Sequence, residues 1–232
     1  MNEDASKSAS PYGRSRVFVV DDHPLVRDSL VALIGRQPDL FVCGQASDSA
    51  TAFAAMMREP VDVAVVDISL PGESGLELIK KMQALSPVPR ALVVSMHDES
   101  TYAERALRAG ALGYVMKHET TDKVIDAIRS VARGVPYVSG LLAAQLARKY
   151  VGIRRDADLS IAGRLSDREL EVFRLIGGGC ETRRIAHELR LSMKTVQAHC
   201  ANIKDKLGLA NATELIREAV RWVEAQQSPP RN

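Results

Sequence analysis

The sequence predicts an α/β protein, a doubly wound parallel sheet followed by a small all-helical domain. In the first half of the chain, five short apolar, β-branched runs alternate with five segments of helical periodicity. The runs are continuous and do not alternate with polar residues, which is typical of parallel strands covered by helices on both faces. From residue 164 onward, the pattern predicts helices.

The elements of the first half follow one another in regular order. The predicted strands cover residues 17–20, 41–46, 63–67, 91–95 and 113–116. The first helix begins near Pro24, a residue favoured in the first helical turn, and the next four cover residues 49–58, 76–84, 101–109 and 121–133. Right-handed crossovers join such strands into one parallel sheet. A break at 134–140, a short linker helix at 141–150 and a flexible tether at 151–163 follow.

Helix caps define four helices in the second half. Ser166 and Glu169 have the spacing of a capping box, and the glycines at 177–179 end that helix. A short helix follows at 182–189 and ends at a tight break at 190–191. Ser192 caps a longer helix that runs to Leu207 and stops at Gly208, and Asn211 caps the fourth helix.

Composition excludes several protein classes. With 46% hydrophobic and 4% aromatic residues, the chain is globular, and no apolar run reaches the roughly 18–20 residues of a membrane span. The polar N-terminus predicts a short disordered arm and not a secretory signal. Three cysteines without CxxC spacing indicate buried thiols in a reducing cytoplasm, and the five histidines show no metal spacing.

Charge differs between the two halves. Residues 14–138 carry 14 basic and 16 acidic side chains, whereas residues 161–232 carry 12 basic and 9 acidic ones. The difference is modest but suggests different partners for the two halves. We divide the chain into an arm (1–14), an α/β domain (15–138), a linker (139–163), a helical domain (164–227) and a tail (228–232).

Polar side chains follow the predicted strands at the edge where parallel sheets bind ligands. Asp21 and Asp22 follow the first strand, Asp67 the third, Ser95 ends the fourth and Lys117 follows the fifth. Carboxylates in place of glycines after the first strand argue against a nucleotide site. Three carboxylates together need a cation, and Mg²⁺ with its oxygen ligands fits best. Asp67 could then attack a phosphorus atom to form an acyl phosphate.

Simpler interpretations exist for each residue taken alone. Asp67 could cap a strand end, and Lys117 could be a surface lysine. Tyr114 could be an ordinary core residue, and Ser95 could be a core residue whose hydroxyl has a hydrogen-bond partner. We interpret His23 and His97 as residues at the rim of the site and assign them no role.

From about Val17 to Val138, the chain resembles the receiver domains of two-component response regulators. The resemblance rests on the acidic pair at 21–22, Asp67 with Pro-Gly four residues on, Ser95, and GALGYVMK at 110–117. It implies a flavodoxin-like (CheY-like) sheet of order 2-1-3-4-5 and an Asp67 that accepts a phosphoryl group from a sensor histidine kinase.

The resemblance also implies roles for the neighbouring residues. Asp22, Asp67 and the Ser69 carbonyl would hold Mg²⁺, with Asp21 assisting through water. Ser95 and Tyr114 resemble the family's switch pair, in which the ring follows the hydroxyl inward. Ser95 stands where Thr is commoner, and His118 stands where many receivers have Pro.

The third helix of the second half is amphipathic. Val196, Cys200, Ile203 and Leu207 form its core-facing stripe. The far side is lean in charge and has small residues at its centre, which suits a helix that lies in a major groove about 12 Å wide. A solvated face is the alternative. A short helix, a tight turn and a longer helix follow the helix-turn-helix order.

The second half resembles the LuxR-type DNA-binding domain of the NarL/FixJ response regulators. The matching stretches are LSDREL at 165–170, IAHEL at 185–189, LSMKTVQAH at 191–199 and KLGL at 206–209, and they place the helix-turn-helix at 181–200. The expected DNA-facing residues are Lys194, Thr195, Gln197, Ala198, His199, Asn202 and Lys206. Among these, we expect phosphate contacts from Lys194, Thr195, His199 and Lys206, and a base contact from Gln197, with adenine preferred.

The last helix carries several apolar residues, which predict either a dimer contact or ordinary core. The resemblances imply a DNA-binding transcription regulator that phosphorylation switches, with a histidine kinase, promoter DNA and a second copy as partners and RNA polymerase as a further candidate. Two alternatives stay open: a Mg²⁺-dependent aspartyl phosphohydrolase, and an interaction protein that takes no phosphate.

Overall fold

A computed structural model describes residues 13–150 and 161–227. The chain divides into two compact units between residues 151 and 152. No helix among the described residues has the length and apolar content needed to cross a membrane. The arm at 1–12, the tether at 151–160 and the tail from 228 lie outside the described residues.

The first unit is built on one parallel five-stranded sheet. Its strands are β1 (Ser15–Val20), β2 (Leu40–Ala46), β3 (Val63–Val66), β4 (Arg90–Ser95) and β5 (Ala111–Met116). Every pair of neighbours is parallel, and the order is β2-β1-β3-β4-β5, as expected. The sheet residues of β3 are all buried, in agreement with their continuous apolar sequence.

Helices cover both faces of this sheet. They are α1 (Pro24–Gly35), α2 (Ser49–Met56), α3 (Gly75–Met82), α4 (Glu99–Ala109) and α5 (Thr121–Ala132). On one face, α1 and α5 pack against alternate residues of the central strands, such as Val19, Val65 and Val94. On the other face, α2 contacts β2, α3 lies between α2 and α4, and α4 contacts β5. Asp48, Ser74 and Asp98 cap α2, α3 and α4 through their side chains.

The segment after α5 adds to the edge of the sheet, which the sequence analysis did not predict. Tyr137 forms a parallel bridge with Gly113 of β5, and its carbonyl accepts a hydrogen bond from the Tyr114 amide at 3.0 Å. The linker helix α6 (Gly140–Tyr150) then begins, capped by the Ser139 hydroxyl. Leu142 on α6 is buried, and the Ser139 amide donates to Glu99 of α4 at 3.2 Å.

The second unit is all-helical. Its helices are α7 (Ile161–Arg164), α8 (Asp167–Gly177), α9 (Thr182–Glu188), α10 (Met193–Leu207) and α11 (Ala212–Gln227). The four predicted helices are confirmed, and α7 is an additional helical turn where we expected tether. Both halves of the predicted capping box at the start of α8 are present. Ser192 and Asn211 accept hydrogen bonds from the first turns of α10 and α11.

Candidate functional site

The carboxyl ends of the strands bring the predicted polar side chains of the first unit together. Asp21 and Asp67 directly follow β1 and β3, and their backbone amides continue the sheet ladder to Ala46 and Val20. The Lys117 amide likewise donates to the Ser95 carbonyl at 2.8 Å. The three side chains are thus fixed by strand pairing and not by flexible loops.

Lys117 joins two of the carboxylates. Its Nζ lies 2.8 Å from Asp67 Oδ2 and 2.7 Å from Asp21 Oδ2, and all three side chains are at most 6% exposed. Burial lowers the pKa of Lys117, but the negative charges of Asp67 and Asp21 outweigh it, so the pKa is raised and the ammonium is charged. Burial and the charge of Asp67 raise the pKa of Asp21. The single ammonium of Lys117 therefore does not neutralise all the negative charge of the neighbouring carboxylates.

The acidic cluster has the donor set of a divalent cation site. Ligand atoms of Asp21, Asp22, His23 and Asp67 all lie within 4.8 Å of one another. Asp22 Oδ1 is buried and makes no hydrogen bond to the described residues, although His23 Nδ1 lies 2.7 Å from it. Carboxylates this close together repel one another unless a cation binds between them. The residues present therefore fit a hard metal ion.

The loop after Asp67 is anchored at both ends. Ile68 and Leu70 are buried, and the Gly75 amide donates to the Ile68 carbonyl at 2.8 Å. The Ile68 amide donates to Asp67 Oδ1, also at 2.8 Å. Farther along, Glu73 accepts hydrogen bonds from Ser49 at the start of α2 and from Lys81 of α3. These contacts hold the loop against both neighbouring helices.

The two expected switch residues lie close to this loop. Ser95 is fully buried, and Tyr114 is 2% exposed. The Tyr114 hydroxyl donates to the His97 carbonyl at 2.7 Å, and the switch role of this pair stays a prediction. The His97 amide donates to Ser95 Oγ at 3.4 Å.

His97 is the functional candidate that the sequence analysis missed. Our interpretation of His97 as a rim residue is wrong, because its side chain is 7% exposed and contacts the core of the site. Its Nε2 shares a hydrogen bond of 2.7 Å with Ser69 Oγ. One signal was present in the sequence: residues 95 and 97 are two apart, the spacing that puts extended side chains on the same face. His23, by contrast, is at the rim, with its side chain 64% exposed.

The expected DNA-facing residues of the second unit all lie on α10. Val196 and Ile203 are fully buried, as predicted for the core-facing stripe, whereas Cys200 and Leu207 are half-buried. The exposed side carries Lys194, Gln197, Ala198, Ala201 and Asn202. Thr195 is half-buried and its hydroxyl lies 2.7 Å from that of Ser192. The exposed face is thus polar, with small residues at its centre.

The turn between α9 and α10 contains a strained residue. Arg190 has a φ of 50°, which lies in the left-handed region where glycine is the usual residue. Behind the turn, Arg168 on α8 donates to the Leu189 carbonyl at 2.9 Å and pairs with the buried Glu171 at 2.6 Å. Arg168 therefore fixes the end of α9 to α8.

Neighbouring charged side chains affect two of the expected phosphate-contacting residues, Lys206 and His199. Lys206 Nζ lies 2.6 Å from Glu169 of the capping box, with the lysine side chain 44% exposed. Burial and the positive charge of Arg168 lower the pKa of His199. His199 is therefore neutral near pH 7 and offers a hydrogen bond instead of a charge.

The last helix contributes to the core of the second unit and also exposes an apolar residue. Leu215 and Ala219 are buried, and the Trp222 ring meets Phe173 edge-on at 5.9 Å. Ile216, in contrast, is 53% exposed. The core interpretation holds for Leu215, Ala219 and Trp222, whereas the dimer contact stays a prediction.

Comparisons with known proteins agree with this geometry. Residues 17–129 match the response regulator receiver domain, and residues 163–219 match the bacterial regulatory proteins of the luxR family. Over 210 residues, the chain is 34% identical to the oxygen regulatory protein NreC of Staphylococcus haemolyticus, which covers 89% of this chain and 97% of that protein.

Two solved structures extend the comparison. A LuxR-family two-component response regulator from Aurantimonas sp. SI85-9A1 is 33% identical with a TM-score of 0.55, over 60% of this chain and 99% of that one. RcsB from Salmonella enterica serovar Typhimurium, bound to promoter rprA in the presence of phosphomimetic BeF3−, is 24% identical with a TM-score of 0.59, over 89% of this chain and 98% of that one. The likeness to RcsB concerns the fold alone.

Three findings together establish the family. They are the receiver-type acidic site on a sheet of order 2-1-3-4-5, the LuxR-type helical domain, and the relative that is 34% identical over 97% of its length. In such transcription regulators, a receiver domain precedes a LuxR-type DNA-binding domain, and the receiver is a phosphoacceptor and not an enzyme. The chain belongs to this family, the NarL/FixJ family of two-component response regulators.

Proposed function

We propose that Asp67 accepts a phosphoryl group from the phosphohistidine of a sensor kinase, and that this acyl phosphate controls DNA binding by α10. The observation that carries the proposal is the position of Lys117, whose Nζ lies 2.8 Å from Asp67 and 2.7 Å from Asp21. A carboxylate held beside an ammonium at a sheet edge has the setting for in-line attack on phosphorus.

The proposed cation is Mg²⁺, held by Asp22, Asp67 and the Ser69 carbonyl, with Asp21 assisting through water. When bound, it supplies positive charge to the transferring phosphoryl oxygens. Lys117 binds one further phosphoryl oxygen as a point charge, and its two contacts with carboxylates keep it oriented. The Ser95 hydroxyl donates to another oxygen, and Tyr114 is its partner in the switch. The close grouping of the carboxylate oxygens of Asp21, Asp22 and Asp67, within 4.8 Å of one another, supports the metal assignment.

The kinase is proposed to dock on the groove beside α1. This groove has a volume of about 690 Å³, and its lining includes the exposed Leu25 and Met96 together with Lys117. It therefore joins an apolar surface to the residue that contacts Asp67, as a docking site for a helical phosphohistidine donor would require.

The DNA contacts are proposed on the exposed face of α10 and the turn before it, within the helix-turn-helix at 181–200. Lys194, Thr195, His199 and Lys206 would contact phosphates of promoter DNA, with Ala198 and Asn202 against the groove. Gln197 is exposed and central on that face, where an amide can pair with adenine. Lys206 would have to exchange its ion pair with Glu169 for a phosphate.

Further partners follow from the same proposal. A homodimer suits two-fold operators, and the exposed Ile216 of α11 offers an apolar contact for it. RNA polymerase is a candidate partner once DNA is bound. We place the protein in the cytoplasm, where its three free thiols would stay reduced.

Incubation with acetyl phosphate and Mg²⁺, followed by intact-mass measurement, tests the phosphoacceptor role. We expect a stable gain of about 80 Da, one phosphoryl group, in the wild-type chain and none in Asp67→Asn. Continuous phosphate release without a lasting adduct would indicate a phosphohydrolase. No adduct at all would indicate an interaction protein and contradict the proposal.

Replacement of Gln197 tests the base contact. We expect Gln197→Ala to lose preference at one base pair, worth about 1–3 kcal/mol of discrimination, while affinity for random DNA changes little. Unchanged site preference in sequences selected from a random pool would remove Gln197 from the readout.

A further inference from the structure

We propose that His97 is a positioning residue that couples the loop after Asp67 to helix α4, through its hydrogen bond with Ser69. The inference rests on the proposed phosphorylation of Asp67 and adds the route by which α4 would respond to it. His97 lies two residues beyond β4, outside the residues that contact the phosphoryl group in the proposed reaction.

On one side, the His97 ring holds the phosphoacceptor loop. Its Nε2 and Ser69 Oγ share a hydrogen bond of 2.7 Å, across 28 residues of sequence. Ser69 lies two residues after Asp67, and its carbonyl is a proposed Mg²⁺ ligand. A change at Asp67 that displaces Ser69 therefore acts on the His97 ring directly.

On the other side, the same ring packs on α4. The His97 and Tyr102 ring centroids are 4.4 Å apart at an interplanar angle of 31°, and Tyr102 is 1% exposed. Because Tyr102 is buried in the first turn of α4, we expect a displacement of the His97 ring to be transmitted to α4.

The backbone of His97 contacts both switch residues. Its amide donates to Ser95 Oγ, and its carbonyl accepts from the Tyr114 hydroxyl. Ser69, Ser95, Tyr114 and Tyr102 thus all contact His97, and the Ser69 hydrogen bond connects the His97 side chain to the loop after Asp67. Ser69→Ala removes this bond and leaves the ring and the backbone contacts in place.

The test compares amide hydrogen exchange in α4 before and after acetyl phosphate and Mg²⁺, at an adduct level matched by intact mass. In the wild-type chain, phosphorylation should change exchange across 99–109. Ser69→Ala and His97→Ala should still take the adduct but lose most of that change. His97→Gln, which keeps a polar group within reach of Ser69, should restore part of it. His118→Ala, at an exposed histidine beside Lys117, should respond as the wild type does.

A change in α4 of wild-type size in Ser69→Ala at equal adduct would overturn the proposal, even if His97→Ala fails to fold. A wild-type chain that takes the adduct without any change in α4 would overturn it as well. Absence of the adduct from the wild-type chain is a different result, because it would contradict the proposed function on which the inference rests.

Discussion

Gly75 lies so close to Asp67 that a Cβ on Gly75 would be 1.9 Å from the Asp67 carbonyl oxygen. The same Cβ would be 2.9 Å from a methyl group of Val66 on β3. Only a residue without a side chain lets α3 begin directly against the strand end that carries the phosphoacceptor. The position of Asp67 thus depends on a glycine eight residues away.

Replacing Gly75 with alanine should displace Asp67. We expect Gly75→Ala to lower the free energy of unfolding by about 1–3 kcal/mol and to slow adduct formation from acetyl phosphate, because the clash is with backbone and not with a flexible side chain. Thermal unfolding by circular dichroism and initial rates by intact mass measure the two effects. Gly35→Ala is the control: its Cβ would meet nothing within 4 Å, and it should stabilise the protein by up to about 1 kcal/mol. Equal effects of the two substitutions would contradict the steric argument.

Mg²⁺ should stabilise the folded protein. The acidic cluster holds three carboxylates, and the Lys117 ammonium pairs with two of them, so a bound cation relieves their repulsion. At ten times its dissociation constant, Mg²⁺ should add about 1.4 kcal/mol to the stability of the wild-type chain. Asp22→Asn should lose most of this gain, while Asp28→Asn, at an exposed aspartate of α1, should keep it. Thermal shifts in a Mg²⁺ titration measure the gain, and an Asp22→Asn chain that responds like the wild type would remove Asp22 from the site.

The second unit should lose stability in acid through Glu169. Burial raises the pKa of Glu169, but its hydrogen bonds from Lys206 and Ser166 outweigh burial, so the pKa lies below its usual value of 4.5. A lowered pKa means that the carboxylate stabilises the fold above about pH 4.5 and that this contribution is lost as pH falls through the folded-state pKa.

Glu169→Gln should therefore cost about 1 kcal/mol at pH 7 and much less at pH 3. Trp222, the only tryptophan in the chain, packs on Phe173 of α8, so its fluorescence during urea unfolding reports on this unit. A deficit in Glu169→Gln that is the same at both pH values would show that its charge does not matter.

The turn of the helix-turn-helix should gain stability from a glycine. Arg190 has a φ of 50°, a conformation that costs a residue with a Cβ about 1–2 kcal/mol. Its side chain is exposed, so Arg190→Gly should raise the stability of the second unit by about 0.5 kcal/mol or more, after the entropy cost of glycine. Arg190→Ala keeps the strain and should stay within about 0.5 kcal/mol of the wild type. Urea unfolding followed by Trp222 fluorescence distinguishes the two, and a less stable Arg190→Gly would mean that the arginine side chain contributes more than the strain costs.

The sequence predicted the fold and the acidic site because both follow from local rules. Continuous apolar runs fix parallel strands, and parallel strands bring their carboxyl ends to one edge, so Asp21, Asp67 and Lys117 could be grouped before their distances were known. Helix caps such as Ser166 and Ser192 were equally readable, since each acts within four residues of itself.

The contacts that were missed join residues distant in the chain. The bond between Ser69 and His97, the bridge between Gly113 and Tyr137, and the ion pair of Lys206 with Glu169 depend on how loops and helix ends meet. Neither hydrophobic periodicity nor helix capping predicts contacts of this kind. They are set by packing, and the clearest case is His97, whose polar ring is buried only because Ser69 and Tyr102 lie on either side of it.

The most direct test of the account is whether phosphorylation of one carboxylate changes DNA affinity. A duplex selected from a random pool by the phosphorylated chain would be titrated with the wild type and with Asp67→Asn, each with and without acetyl phosphate and Mg²⁺. We predict tighter binding after phosphorylation in the wild type and no change in Asp67→Asn. If the phosphorylated and the unmodified wild-type chain bind this duplex with equal affinity, at a confirmed adduct on Asp67, phosphorylation does not control DNA binding and the central claim is contradicted.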